Sequence, residues 1–553
     1  MDFGASLQAT KRLVSSSAFL TKTLPALLLG GLLLAGLVMV IAQAGRYGIA
    51  WDETVQDPYG RLALAWYGTL GRNTGFLTTS SPETHVPEHG VIFEVVVAVG
   101  QHIFSGADHW YVRHLITALA GLAGVGAIAL CGFELGGYWV AFLAALGLWL
   151  YPRYYGAIYT NSKDVPAAVT LTLVLWAALL LIRKWDDQDH PQRYLRNSIL
   201  LGALIGLAAA IRVNALIWYL ILTVFLAGWW LTQGRLVWRE ERVRAEVLKQ
   251  GSAAGVIGAT SLVIMIVLWP YVLLNPIVNL PHAVQVISHY TWDGLVLYNG
   301  RQYPATHLPA DYVVTWLIIG SSLTLVALAA LGLGVVGVSS ARARRIDPRL
   351  ALVLLSFAVP LIAILALRSV VYDGLRQFLF LIPPLSLIGA YGLVRVMTLL
   401  ARADRLALKV VAAVLIVLAV VSYSLDVRDM LVLSPFEYTY FSPLIGGIAG
   451  AQGRYDTDYW ATCSKQSAEW LAGHYRRYTS ASSPSAQAQP VQSLASHYLP
   501  AAFRQDDTHP DFYIASTRFG DDLRYPSYTV VHLVAAAGVP VCVIKVNPAI
   551  VTT

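Results

Sequence analysis

Runs of about twenty apolar residues recur along this chain, and each must be covered by protein or lipid because an apolar helix of that length spans a bilayer core. The candidate spans are residues 24–44, 111–131, 138–151, 165–182, 198–211, 215–231, 253–271, 312–338, 350–367, 378–394 and 408–424. Only 13% of the 553 residues are charged, against about 25% in a soluble domain. Most of the chain therefore needs no water-facing surface. The reading is an all-α polytopic membrane domain of eleven transmembrane helices over residues 24–424. A cytoplasmic segment, 1–23, precedes it, and a small α/β domain, 425–553, follows it.

The formal net charge of +7 does not point to nucleic acid, because the cations sit in short loops between apolar runs. Arg342, Arg344, Arg345 and Arg349 fill one such loop, and Arg395, Arg402 and Arg405 another. Cytoplasmic loops gather Lys and Arg, so this pattern sets topology. It decides an ambiguity at 91–104, an apolar run that contains Glu94 and Gln101. Read as a surface helix, it leaves the basic loops inside; read as a span, it would put most of them outside. The surface reading places loops 45–110, 152–164, 272–311 and 368–377 on the outer face, with the C-terminal domain beyond residue 424.

Residues 24–41 follow Lys11, Arg12 and Lys22 and end near Ala42-Gln43-Ala44 like a signal peptide. The run is longer than a normal signal core, so it reads as a retained helix. Three cysteines exclude a Cys-rich zinc site. Cys131 ends an apolar run, while Cys463 and Cys542 are free thiols or one disulfide if their domain faces an oxidising compartment. Within that domain 464–476 reads as helix, 511–516, 528–534 and 539–546 as strands, and the Ser/Ala-rich 480–489 as a flexible loop.

Groups capable of chemistry collect on the outer face. Asp52 and Glu53 precede a helical pattern at 59–67. Adjacent carboxylates can take a proton from an acceptor hydroxyl or bind a divalent metal, while the plainer role for Asp52 is a helix N-cap. Arg113 stands at the outer mouth of the second span, placed to fork onto a phosphate or to snorkel. Residues 161–166 (Asn-Ser-Lys-Asp-Val-Pro) open the fourth span; Asp164 and Pro166 suit a helix start, but the Lys163 cation there needs an anion. His289, Tyr290, Trp292 and Asp293 fall in the third outer loop, and Tyr372, Asp373 and Arg376 in the fourth.

The order of these segments resembles the GT-C glycosyltransferases, in particular the protein O-mannosyltransferase and lipid A aminoarabinose transferase group. That group has a first outer loop with Asp-Glu, an interfacial helix and an arginine opening the second span; Asp52-Glu53, 91–104 and Arg113 match. A closer likeness, to bacterial members, lies in 161–166, in 372–376 (Tyr-Asp-Gly-Leu-Arg) and in 435–444 (Pro-Phe-Glu-Tyr-Thr-Tyr-Phe-Ser-Pro-Leu). The resemblance implies transfer of a sugar from a polyprenyl-phosphate carrier to an acceptor hydroxyl on a glycan, lipid or protein, at the outer face of a bacterial inner membrane. It makes Asp52, or Glu53, the base and Arg113 the phosphate ligand. Glu53, Lys163 and Asp164 then shape the sugar and acceptor pocket. Position and charge add Arg376 as a second phosphate ligand, with Tyr372, Asp373 and His289 beside it. The chain lacks the inserted lumenal lectin-like domain of the eukaryotic mannosyltransferases. A transporter or flippase of lipid-linked sugars is the competing reading, but such proteins place charges at mid-membrane and show repeated halves, and neither is evident here.

Overall fold

A computed structural model describes residues 19–79, 86–183, 191–237, 240–288, 290, 292 and 294–550. Among these, nine helices are long and apolar enough to cross a membrane. Two of the eleven predicted spans fall outside that set. Tyr138–Trp149 is a helix of 12 residues, closed by extended Tyr151 ahead of Pro152, which starts the next helix. Pro191–Ala209 opens on the polar run Pro-Gln-Arg-Tyr-Leu-Arg-Asn. The predicted span 312–338 is broken after Ile319 and restarts at Leu323, where the Ser322 hydroxyl caps the backbone N–H of Leu325. The last apolar helix, Leu406–Leu433, runs past the predicted end at 424.

The 91–104 run forms a short helix, Ile92–Ile103. Its Glu94 and Gln101 are buried, while Val96, Val99 and Ile103 are exposed. One polar face turned into protein and one apolar face turned outward is the pattern of an interfacial helix. Before it, Glu53–Gly68 is a 16-residue helix packed against Ile92–Ile103.

Small residues let the bundle close. The Leu323–Ala343 and Ile382–Ala401 helices cross at Gly332 and Gly392, where a Cβ on Gly392 would overlap the Gly332 backbone and one on Gly332 the Ile388 carbonyl. Such contacts replace hydrophobic driving force where lipid surrounds the helices. The crossing holds the Ile382–Ala401 helix, whose leading turn Arg376–Leu381 carries Arg376.

The C-terminal domain has a five-stranded sheet in the order β4-β3-β5-β7-β6. Strands β1 (Leu295–Tyr298) and β2 (Arg301–Pro304) form a separate hairpin, and those of this sheet are β3 (Ser485–Gln489), β4 (Arg504–Gln505), β5 (Phe512–Ser516), β6 (Thr529–Ala536) and β7 (Val539–Val546). β3 runs parallel to β4 and β5, whereas β7 is antiparallel to β5 and β6. Residues 485–489, expected to be loop, are thus an interior strand: Ala486 and Ala488 pack with Leu471 and Phe512 in the core, so low side-chain bulk here suits close packing rather than flexibility. The β6–β7 hairpin turns at Ala537 and Gly538, both with positive φ, as a two-residue type I′ hairpin requires. Helix Ser464–His474 lies against the sheet, and Cys463 at its start is disulfide-bonded to Cys542 on β7. Cys131 is a buried free thiol.

Leucine at Gly332 forces the two helices apart and is expected to abolish monodisperse protein on size-exclusion chromatography. Leucine at Gly334, where an added Cβ meets open space, should leave the elution profile unchanged.

Candidate active site

Asp52 and Glu53 are consecutive, yet they enter two different charge clusters. Neighbours on a helix point about 100° apart, and the start of the Glu53–Gly68 helix exploits that divergence. Glu53 turns inward and is fully buried. One of its oxygens accepts from Nε of Arg113 at 2.9 Å. The other accepts from the Ala50 N–H at 2.8 Å and contacts Nε2 of His114 at 3.1 Å. The return bond to Ala50, three residues back, ties the carboxylate to the chain just before the helix and holds it inward.

Arg113 is 1% exposed. Besides Glu53, it donates to Glu94 at 2.8 Å and to the Ser162 hydroxyl at 2.7 Å, and Asp57 lies 3.7 Å from its third nitrogen. Asp57 is itself held by His109 at 2.8 Å, Gln101 at 2.9 Å and Arg61 at 3.1 Å. The sequence placed Arg113 at a phosphate; the geometry spends its fork on protein carboxylates. Three carboxylates surround this arginine, so all three of its nitrogens already face protein groups. Glu53, its two oxygens already engaged, has no room to abstract a proton from a substrate.

In the outer cluster, Asp52 is 39% exposed and its side chain makes no cap bond to the helix, so the N-cap role does not account for it. Its carboxylate pairs instead with Arg376. Burial works to raise the Asp52 carboxyl, but Arg376, Lys163 and Arg518 outweigh it and hold the group below its ordinary range. The second amino group of Arg376 meets Asp373 at 2.9 Å. Asp373 also pairs with Arg518 of the C-terminal domain. Asp164 pairs with Arg212 and exchanges hydrogen bonds with Asn161, whose amide donates at 2.9 Å and whose carbonyl oxygen accepts from the Asp164 N–H at 2.8 Å. Asn161 therefore caps this helix.

Lys163, half-buried, forms no ion pair among the described residues. Burial and the adjacent Arg212 push its ammonium down to about 8, against the pull of Asp52 and Asp164. Arg212, Arg376 and Arg518 are each paired with a carboxylate of the cluster, Asp456 lies near Arg518, and Lys163 is left as the cation open to an anion.

Aromatic rings wall this cluster. Tyr372 stacks on Trp292 with centroids 4.4 Å apart, and Arg376 lies 5.0 Å over Tyr372. Tyr372 also hydrogen-bonds Tyr290. His289 and Asp293 lie outside the described residues. Below the cluster, a small, mainly apolar crevice of about 20 Å³ lies between helices, lined by Leu171, Thr172, Trp218, Ser356, Phe380 and Pro384. Phe380 belongs to the turn that begins at Arg376, and Leu171 to the helix that begins at Asp164.

Sequence reasoning missed Glu94 as a partner of Arg113, and it missed Arg212 and Arg518 in the outer cluster. A carboxylate inside the apolar run 91–104 was a usable signal; Arg518, 142 residues after Arg376 in sequence, offered none. The suggested metal pair does not form, since Asp52 and Glu53 face different clusters and are each taken by arginine. Among the described residues no group of three or more His, Cys, Asp and Glu could hold a metal ion.

No family model and no curated protein matches the sequence. Among solved structures, the chain is similar to ArnT from Cupriavidus metallidurans, solved with undecaprenyl phosphate: identity is 16%, TM-score 0.49, and the match covers 94% of this chain and 98% of that one. It is also similar to the oligosaccharyltransferase of Archaeoglobus fulgidus, at 15% identity and TM-score 0.48, over 79% of this chain and 58% of that one. Residue roles rest on the geometry above.

Removing one member of a buried, paired charge group costs about 3–5 kcal/mol. Arg113→Ala should therefore lower the melting temperature of the purified protein sharply. Wild-type melting combined with weakened phosphate binding would instead place the ligand at Arg113.

Proposed function

We propose that this integral membrane protein is a glycosyltransferase that takes a sugar from a polyprenyl-phosphate carrier and delivers it to an acceptor hydroxyl at the outer face of the membrane. The observation that carries this reading is the outer cluster: a partly exposed carboxylate, Asp52, beside a cation-rich site with an unpaired Lys163, above an apolar crevice between the helices. The cations suit the phosphate head and Asp52 the reacting bond, and the small apolar crevice marks where a prenyl chain would part the helices. The motif order along the sequence supports the same assignment.

In the proposed reaction the acceptor oxygen bonds to the anomeric carbon while the bond from that carbon to the carrier phosphate oxygen breaks. The acceptor proton passes to Asp52. Negative charge grows on the departing phosphate, where Lys163 and Arg376 stabilise it. Arg376 has a second part in this scheme. As the phosphate draws one amino group of Arg376 toward itself, Asp52 loses its closest cation and becomes a stronger base once the donor is bound.

Sidedness follows from charge and redox chemistry. The basic loops lie on the face opposite the site, and the Cys463–Cys542 disulfide suits an oxidising compartment. We therefore place the site and the C-terminal domain outside the cytoplasm.

A panel of undecaprenyl-phosphate-linked sugars, incubated with purified protein, tests the reading through released or transferred sugar. Asp52→Asn should lower turnover by about 10²–10⁴-fold, the usual contribution of a general base, with no change in folding. Near-normal turnover would overturn the assignment. The Lys163 ammonium, pushed down to about 8, is cationic below that pH and neutral above it. Donor kcat/KM should thus fall as pH rises through this region. Lys163→Arg, which stays protonated throughout, should remove that alkaline limb; a limb that persists in the variant belongs to another group.

A further inference from the structure

Arg518 sits in the C-terminal domain, just after β5, where Phe519 and Gly520 both adopt positive φ and turn the chain back. This turn delivers the guanidinium into the membrane domain's outer cluster. There Arg518 pairs with Asp373 and donates to the Tyr459 carbonyl. It lies over the rings of Phe519, Trp51 and Trp292 at 4.6, 5.3 and 5.6 Å. It is 5% exposed, so protein groups surround it and a substrate has little access.

The contacts form one alternating line: Arg518, Asp373, Arg376, Asp52. Each lobe of Asp373 holds a different arginine, Oδ1 taking Arg518 and Oδ2 taking Arg376. Each amino group of Arg376 holds a different aspartate, one Asp373 and the other Asp52. Without Arg518, Asp373 would be a buried carboxylate with a single cation. Its remaining oxygen would then compete for the second amino group of Arg376, because bidentate pairing is the favoured arginine–carboxylate geometry.

We infer that Arg518 is a positioning residue through which the C-terminal domain sets the reach of Arg376: by occupying one oxygen of Asp373, it keeps one amino group of Arg376 free for Asp52 and the carrier phosphate. This rests on the function proposed above. The C-terminal domain is then a working part of the site rather than an appendage.

Undecaprenyl phosphate binding to the purified full-length protein tests this without knowledge of the sugar. Arg518→Gln removes the charge and leaves a shorter polar side chain that cannot form the ion pair with Asp373; it should weaken binding about tenfold. Arg518→Lys, which restores a cation for Asp373, should bind within about threefold of wild type. The double variant R518Q/D373N removes the competing carboxylate and should also bind within about threefold, a coupling that double-mutant cycles resolve. That double variant leaves no unpaired aspartate, so it is informative even where R518Q alone does not fold. The tenfold loss should persist at about 0.5 M salt, where long-range charge effects are screened.

Three results overturn the inference: unchanged binding in R518Q, a double variant no better than R518Q (or, where R518Q does not fold, weaker than wild type by more than threefold), or a loss that vanishes at high salt. A wild-type protein that fails to bind undecaprenyl phosphate overturns the proposed function instead. The two failures are therefore distinguishable.

Discussion

Arg113 cannot shed its charge inside the protein, since a guanidinium stays protonated at any accessible pH, and its burial dictates much of the outer face. Carboxylates must come to it, and they come from separate elements: Glu53 and Asp57 from the first-loop helix and Glu94 from the interfacial helix, with Ser162 from the segment before the fourth span. Satisfying one cation thus gathers these pieces around the head of the second span. Because Glu53 is drawn inward, helix geometry turns Asp52 away from Arg113 and toward the outer cluster.

The two clusters then divide the work. Around Arg113 the guanidinium is already enclosed by Glu53, Glu94 and Asp57, which suits a structural brace. Around Asp52 the arginines are each paired with a carboxylate, and Lys163 is left as the cation open to an anion. Lys163 fits this division: a cation at a helix start, beside Arg212 and unpaired among the described residues, is electrostatically costly unless a ligand offsets it. The C-terminal domain joins the outer cluster through Arg518, and its disulfide ties the helix at Ser464–His474 to β7.

Much of the architecture was legible in the sequence, because apolar length and loop charge report directly on how a chain meets lipid. The interfacial helix at 91–104 was ambiguous from its brevity and its internal Glu94 and Gln101, and the basic loops around it decided the reading. Details failed where local pattern competes with tertiary demand. The 138–151 run is apolar enough to span but forms a helix of only 12 residues. The Ser/Ala-rich 480–489 segment looked flexible, although small side chains there let β3 sit between two neighbours. At the site, residue types and the membrane face were readable, but partners were not. Nothing in the sequence separates Asp52 from Glu53 in role; burial does. Nothing ties residue 518 to residue 373; only the folded chain does.

We propose that a carrier phosphate binds among Lys163, Arg376 and Asp52 rather than at Arg113. An experimental structure with undecaprenyl phosphate bound addresses it most directly. Phosphate oxygens are expected in hydrogen-bond contact with Lys163 and Arg376, with Asp52 displaced from Arg376 and Arg113 still enclosed by Glu53 and Glu94. A phosphate seated on Arg113, or an outer cluster unchanged while the lipid binds elsewhere, would contradict it.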